Sequence, residues 1–235
     1  MSDELIQLDD PEISVVIRRS KRARRLTLTV PHDGGPPRVT APPRIAASEI
    51  RMFLLRQGDW LRQAIDRAPE PEVVQIGAVI LVAGRTFEIT SRSGVRKSPF
   101  IAGDQLIIQG GNPAAAGKRI EVWLKEVARA ALTPIAEDCA NAVGGRIGKI
   151  TIRDTKGRWG SCSSAGNLNF SWRLAMAPPA VLDYVAAHEA AHLIEMNHGP
   201  RFWALVEGLR PDWRDQRSWL RREGAALHRY RFSAS

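Results

Sequence analysis

The sequence predicts an α+β protein in two parts: a β-rich N-terminal domain with one helix over residues 1–110, and a compact domain over residues 111–235 in which a small antiparallel sheet leads into a long helix. Three observations carry this. Up to residue 110 the apolar residues fall in short, β-branched runs parted by glycine and proline, the mark of strands. From Asn112 they recur at helical spacing, and residues 181–196 contain neither glycine nor proline.

Taken in order, Ile13, Val15 and Ile17 alternate with other residues, as do Leu26, Leu28 and Val30. The two runs predict a hairpin whose tip is the basic stretch 18–25. His32 falls in the turn that follows and reads as solvated, and a short strand is expected over 38–41 after the Gly34-Gly35-Pro36-Pro37 turn. Ser48 can cap a helix with Ile50, Phe53, Leu54, Leu61 and Ile65 on its apolar face, ending by Pro69. Strands follow over 73–76, 79–82, 87–90 and 106–109, and no internal repeat is apparent. Asn112-Pro113 then opens a helix through Ile120, Trp123, Leu124, Val127 and Ala131. Pro134 should kink or restart that helix, and Gly144-Gly145 should end it. Strands over 149–153, 158–162 and 167–172 complete the small sheet before Pro178-Pro179 starts the next helix.

Composition sets limits. With 235 residues, 44% of them hydrophobic and 25% charged, the chain can bury a core and is not disordered. The run 76–83 is too short to span a membrane, and the acidic start over residues 1–12 does not resemble a signal peptide, so a cytoplasmic protein with no membrane association is expected. Cys139 and Cys162 form no CxxC pair and are expected as thiols. The net charge of +9 gathers at Arg18, Arg19, Lys21, Arg22, Arg24 and Arg25, and again at Arg210, Arg214, Arg217, Arg221, Arg222, Arg229 and Arg231, where Asp212, Asp215 and Glu223 partly offset it. Such clusters attract phosphates, so nucleic acid is one expected partner; a solvated tip and a solvated helix face are the plainer reading.

The strongest chemical signal is His188-Glu189-Ala190-Ala191-His192, an HExxH sequence. Four residues at about 100° each leave His192 about 40° from His188, one turn on, so both imidazoles can face one ion. Glu189 lies beside that face, where a carboxylate can take the proton of a metal-polarised water. A catalytic zinc usually has three protein ligands, and His198 is the candidate for the third. On a continuous helix His198 would lie about 80° away from His188, so the chain must break after His192. Asn197, which tolerates the left-handed conformation, and Gly199-Pro200 suit such a break. Glu195, seven residues after His188, is the alternative ligand. His228 reads as a surface residue, Phe202, Trp203 and Val206 as core, and Cys162 as a small hydrophobe rather than a thiolate on zinc.

Arg158-Trp159-Gly160-Ser161-Cys162, then Gly166, Asn169, Pro178, Asp183-Tyr184-Val185, the HExxH sequence with Leu193, Asn197-His198 and Phe202-Trp203 resemble the YgjP-like metal-dependent hydrolases, which are akin to SprT-like and WLM zincins. The resemblance implies a zincin-like metallopeptidase domain, one Zn2+ per chain on His188, His192 and His198, and Glu189 as general base. The spacing matches metzincins too, but Glu195 stands at their glycine and no Met-turn follows, so the chain is not assigned to them. The strand over 158–162 is then expected to border the zinc and to take an extended peptide, with Arg158, Trp159 and Ser161 as candidate substrate contacts, although Trp159 equally suits core packing. Arg201 is either a surface cation or an oxyanion stabiliser. The expected function is zinc-dependent hydrolysis of peptide or protein substrates. The alternatives are a nucleic-acid-associated zincin acting on bound proteins and a zinc-stabilised, non-catalytic binding module. Nothing in the sequence fixes the oligomeric state.

Overall fold

The computed structural model describes residues 4–9, 12–31, 35–68 and 70–232. The chain divides into two compact units, after Pro71. In the first, β1 (Glu4–Asp9), β2 (Glu12–Arg19), β3 (Thr27–Thr29) and β4 (Arg38–Ala41) form a sheet of order β1-β2-β4-β3. Leu8, Val15, Ile17, Val39 and Ala41 pack with Ile50 and Leu54 of α1 (Ala47–Arg56) and Leu61 of α2 (Gly58–Asp66). The expected basic hairpin does not form. β4 lies between β2 and β3, parallel to the first and antiparallel to the second. Val39 and Ala41 are wholly buried there, and an apolar strand gains most at a central position, which residues 20–26 allow by crossing over β4. The single expected helix is two, broken at Gln57 ahead of Gly58, and it starts from Ala46 rather than a Ser48 cap. His32 and Pro69 lie outside the described residues.

The second unit begins with β5 (Glu72–Val73), shorter than the expected 73–76. β6 (Val79–Val82), β7 (Arg85–Arg92), β8 (Phe100–Ala102) and β9 (Gln105–Gln109) form a sheet of order β6-β7-β9-β8. Its connectivity and strand senses repeat those of the first sheet. The register repeats as well: Ile6↔Val15 and Ile17↔Val39↔Leu28 in one correspond to Ile80↔Phe87 and Ile89↔Leu106↔Ile101 in the other. The repeat is invisible in the sequence because it is kept as apolar positions, filled by different residues.

Asn112 caps as expected, accepting from the Ala114 amide, and a 3-10 turn leads into α3 (Ala116–Val143). α3 runs on through Pro134 without a restart and ends at Gly144, whose φ of 71° is the left-handed cap. β10 (Ile150–Arg153), β11 (Gly160–Cys162) and β12 (Leu168–Ser171) make a sheet of order β10-β12-β11. The β11–β12 pair is antiparallel as expected, but β10 joins parallel, so the sheet is mixed. Then come α4 (Pro179–Ala191), α5 (Pro200–Leu209), α6 (Trp213–Glu223) and β13 (Tyr230–Arg231), which pairs with β5.

The division at 71/72, rather than at the expected 110/111, follows from packing. Ile80, Phe87, Ile89, Leu106 and Ile108 share one apolar cluster with Ile120 and Leu124 of α3 and with Trp172 and Val185. The two-residue turn Ala83-Gly84, with both φ angles positive, also donates its amides to the carbonyls of Ala175 and Met176. The second sheet therefore belongs to the unit that follows it.

Gly117 is where α3 meets the β5–β13 pair: a Cβ there would stand 2.5 Å from the Phe232 carbonyl oxygen and 2.7 Å from that of Val74. Gly117→Ala is expected to lower stability by about 1–3 kcal/mol. Gly208→Ala in α5, where a Cβ meets nothing within 4 Å, is expected to raise it by about 0.5–1 kcal/mol. Denaturant titration of both variants checks the opposite signs.

Candidate metal centre

α4 is apolar on nearly every side. Val181, Leu182, Tyr184, Val185, Ala186, Ala187, Ala190 and Ala191 are all buried, as expected of a helix enclosed by other elements. Within this packing His188 and His192 project one turn apart. The helix stops at Ala191, and His192 is its C-cap. The break therefore comes earlier than the glycine- and proline-free stretch suggested, and it brings the chain back on itself. It does not use a left-handed Asn197: among the described residues Ala83 is the only non-glycine with positive φ. Gly199 instead precedes α5 in extended conformation.

The turn brings His198 to the other two histidines. Ligand atoms of His188, His192 and His198 all lie within 4.8 Å of one another, and Nε2 of His188 is 3.1 Å from Nε2 of His198. Nitrogens on one tetrahedral zinc, at the usual bond length of about 2.0–2.1 Å, lie about 3.3 Å apart, so the set fits a single ion of that kind. The other ring nitrogens of His188 and His192 face protein groups. His192 Nδ1 lies 3.0 Å from the backbone carbonyl of Glu195, which can only accept, so Nδ1 carries the proton and Nε2 is left as the ligand atom. His188 Nδ1 lies 3.4 Å from the Tyr184 hydroxyl. Phe202, fully buried, is the common floor: its ring centroid is 4.9, 4.5 and 4.7 Å from those of His188, His192 and His198.

Electrostatics keep the imidazoles of His188 and His192 ready to ligate. Burial, aided by the neighbouring histidines and Arg217, pushes the His188 pKa down to about 3. Burial also lowers that of His192, against the opposing effect of its Glu195 bond. Neutral imidazole is the form that binds metal. Glu189 is 5% exposed, and burial pushes its carboxyl up to about 8, with Arg158 opposing. β11 lies directly on it: a Cβ on Gly160 would be 2.5 Å from Glu189 Oε1.

The remaining candidates separate. Glu195 contributes its carbonyl, while its carboxylate lies 3.9 Å from Arg201, outside the ligand group. Cys162 is also outside that group, and its thiol pKa is raised by burial and by Glu189. Ser161 accepts from Asn169 across the sheet. Trp159 packs its ring on His228, which is buried rather than at the surface. Of the three candidate substrate contacts, Arg158 is the one whose charge reaches Glu189. In the first unit, Arg18, Lys21, Arg22, Arg24 and Arg25 are exposed. Arg19 instead pairs with Glu4 and donates to the carbonyls of Pro43 and Ile45. Sequence reasoning missed the roles of Phe202, Tyr184 and Gly160. Helical spacing marked Phe202 only as core, and nothing in the sequence marks a glycine for lying against a carboxylate.

Three imidazoles clustered at the end of α4, with a buried glutamate beside them, fit the class to which the chain's family belongs: a metal-dependent peptidase domain. The family model described as "YgjP-like, metallopeptidase domain" matches residues 24–223, and the chain belongs to that family. Neither curated proteins nor solved structures give a match. Among the described residues no helix is long and apolar enough to cross a membrane.

Purified without chelator, the protein is expected to carry about one metal ion per chain and His198→Ala sharply less, as checked by elemental analysis. After chelation, linkage gives opposite slopes. The unfolded chain binds more protons at His188 between pH 6.5 and about 3, so stability falls as pH drops through that window. The fold retains the Glu189 proton between pH 4.5 and about 8, so stability falls as pH rises through that one. Chelated Glu189→Gln should melt ~5 °C or more above chelated wild type at pH 8 and lose that margin by pH 4.5.

Proposed function

We propose that this chain is a zinc-dependent endopeptidase with Glu189 as its general base. The observation that carries the reading is the convergence of three imidazoles within 4.8 Å beside a carboxyl buried under a strand edge. A donor set of three imidazoles suits zinc. When bound there, zinc supplies a Lewis acid that acidifies a water and polarises the scissile carbonyl.

The chain's own residues do the rest. Glu189 accepts the proton of the attacking water and delivers it to the leaving amine. Its enclosure by Gly160 and the α4 core keeps bulk water from competing for that proton. β11 is the edge of its sheet, so an extended substrate can pair along it beside Glu189. An edge strand accepts the interior of a chain, which favours endopeptidase action. A non-catalytic zinc module would have no use for a buried carboxyl at this place. We assign the activity to a reducing cytoplasm, where the free Cys139 and Cys162 stay thiols.

Glu189→Gln is expected to lower peptide hydrolysis at least 1000-fold while metal content stays at the wild-type level. Gly160→Ala, which forces the carboxyl aside, is expected to cost about 10- to 100-fold. Peptide cleavage followed by mass spectrometry checks both, and full activity in Glu189→Gln would overturn the mechanism.

A second reading, docking on nucleic acid, is favoured by the clustering of Arg18, Lys21, Arg22, Arg24 and Arg25 on one exposed stretch. It requires binding to DNA or RNA that weakens steeply with salt and is reduced when these residues are neutralised.

A further inference from the structure

We infer that the site selects peptide segments bearing acidic side chains, held by the guanidinium groups of Arg158, Arg217 and Arg221 around the three histidines. The inference rests on the peptidase reading and adds the charge of the substrate. Arg217, on α6, lies with its guanidinium carbon 4.9 Å over the ring of Trp203. The centroid of that ring is in turn 5.9 Å from that of His188 and 5.8 Å from that of His198, so Trp203 contacts both the cation and two of the ligands. Trp213, stacked on Trp203 at 4.3 Å, fixes the ring in place. Arg221 is one turn further along α6, on the same side of the helix. Arg158 lies in the loop ahead of β11, two residues before the glycine that touches Glu189.

Four of the nearby acids have other partners: Glu195 faces Arg201, Asp183 is bonded by Arg210, Glu207 by Arg214, and Glu223 lies 4.0 Å from Arg222. Among the described residues Arg158, Arg217 and Arg221 form no ion pair. Arg158 and Arg221 are exposed and Arg217 half-buried, so all three are open to a ligand. Unpaired cations grouped on one surface concentrate ligands of the opposite charge, and guanidinium groups bind carboxylates in a two-point fork.

The test separates binding from cleavage. Zinc-loaded Glu189→Gln protein is titrated by fluorescence anisotropy with two labelled decapeptides that differ only in Glu or Gln at the two central positions. The Glu peptide should bind about tenfold tighter, with the margin shrinking as salt rises. Adding Arg217→Gln and Arg221→Gln to the same protein should reduce the margin to about twofold or less. If Arg217→Gln disturbs the tryptophan stack and the fold, Arg158→Gln and Arg221→Gln, both at exposed positions, should shrink the margin in its place. Equal affinity for the two peptides, or a margin untouched by the arginine changes, overturns the inference. Wild-type protein that holds the binding margin but cleaves neither peptide overturns the peptidase reading and leaves the anion selectivity standing.

Discussion

Ligand nitrogens from residues 188 and 198 can meet at one ion only if the helix carrying the first ends before it reaches the second. On a continuous helix the two would be about 15 Å apart along the axis. The end of α4 at Ala191 is therefore the constraint on which the site depends, and the surroundings of α4 are built to hold it. His192 serves both as C-cap and as ligand, and its ring is fixed by the carbonyl of Glu195 in the turn that brings the chain back. Phe202 of α5 then lies beneath all three imidazoles. The first turn of α5 and the last turn of α4 are thus joined through one ring, and the ligand geometry follows from their packing.

The same burial acts on each group according to its charge. It keeps His188 neutral, which prepares it for a cation, and it opposes ionisation of Glu189, which suits a group that must take up a proton and release it. Both effects come from the enclosure of α4. The arginines at 158 and 217 act on the same two groups from outside that enclosure, Arg158 drawing the carboxyl down and Arg217 helping to keep the imidazole neutral.

What the sequence made legible was local. HExxH needs only the helical period to place two histidines on one side, Asn112-Pro113 reads as a helix start, and Gly144 reads as a helix end; each rests on residues a few positions apart. What it left hidden depends on neighbours distant in the chain. β2 and β3 have the alternation of hairpin strands, yet β4 takes the place between them, because pairing partners are decided by burial across the sheet. The unit boundary was misplaced because the apolar face of the second sheet closes against residues of α3 and 172–185, a fact that no composition shift near residue 111 reveals. Pro134 costs one backbone bond, which a 28-residue helix packed along its length withstands. Gly160 could be read only as a turn or strand glycine until Glu189 was found against it.

The pairing of β5 with β13 bears on the order in which the molecule can be assembled. Each four-stranded sheet closes within a short stretch, residues 4–41 and 79–109, at modest loop entropy. Both can form while the histidines are still being synthesised. β5 is different: Glu72 and Val73 pair with Tyr230 and Arg231, across almost the whole of the second unit. Arg173, just beyond β12, likewise awaits the carbonyls of Leu227 and Tyr230. The second unit is therefore a construction of high contact order, closed by one of its latest-made segments. A nascent chain that has already made all three histidines still lacks the strand that closes their scaffold against β5.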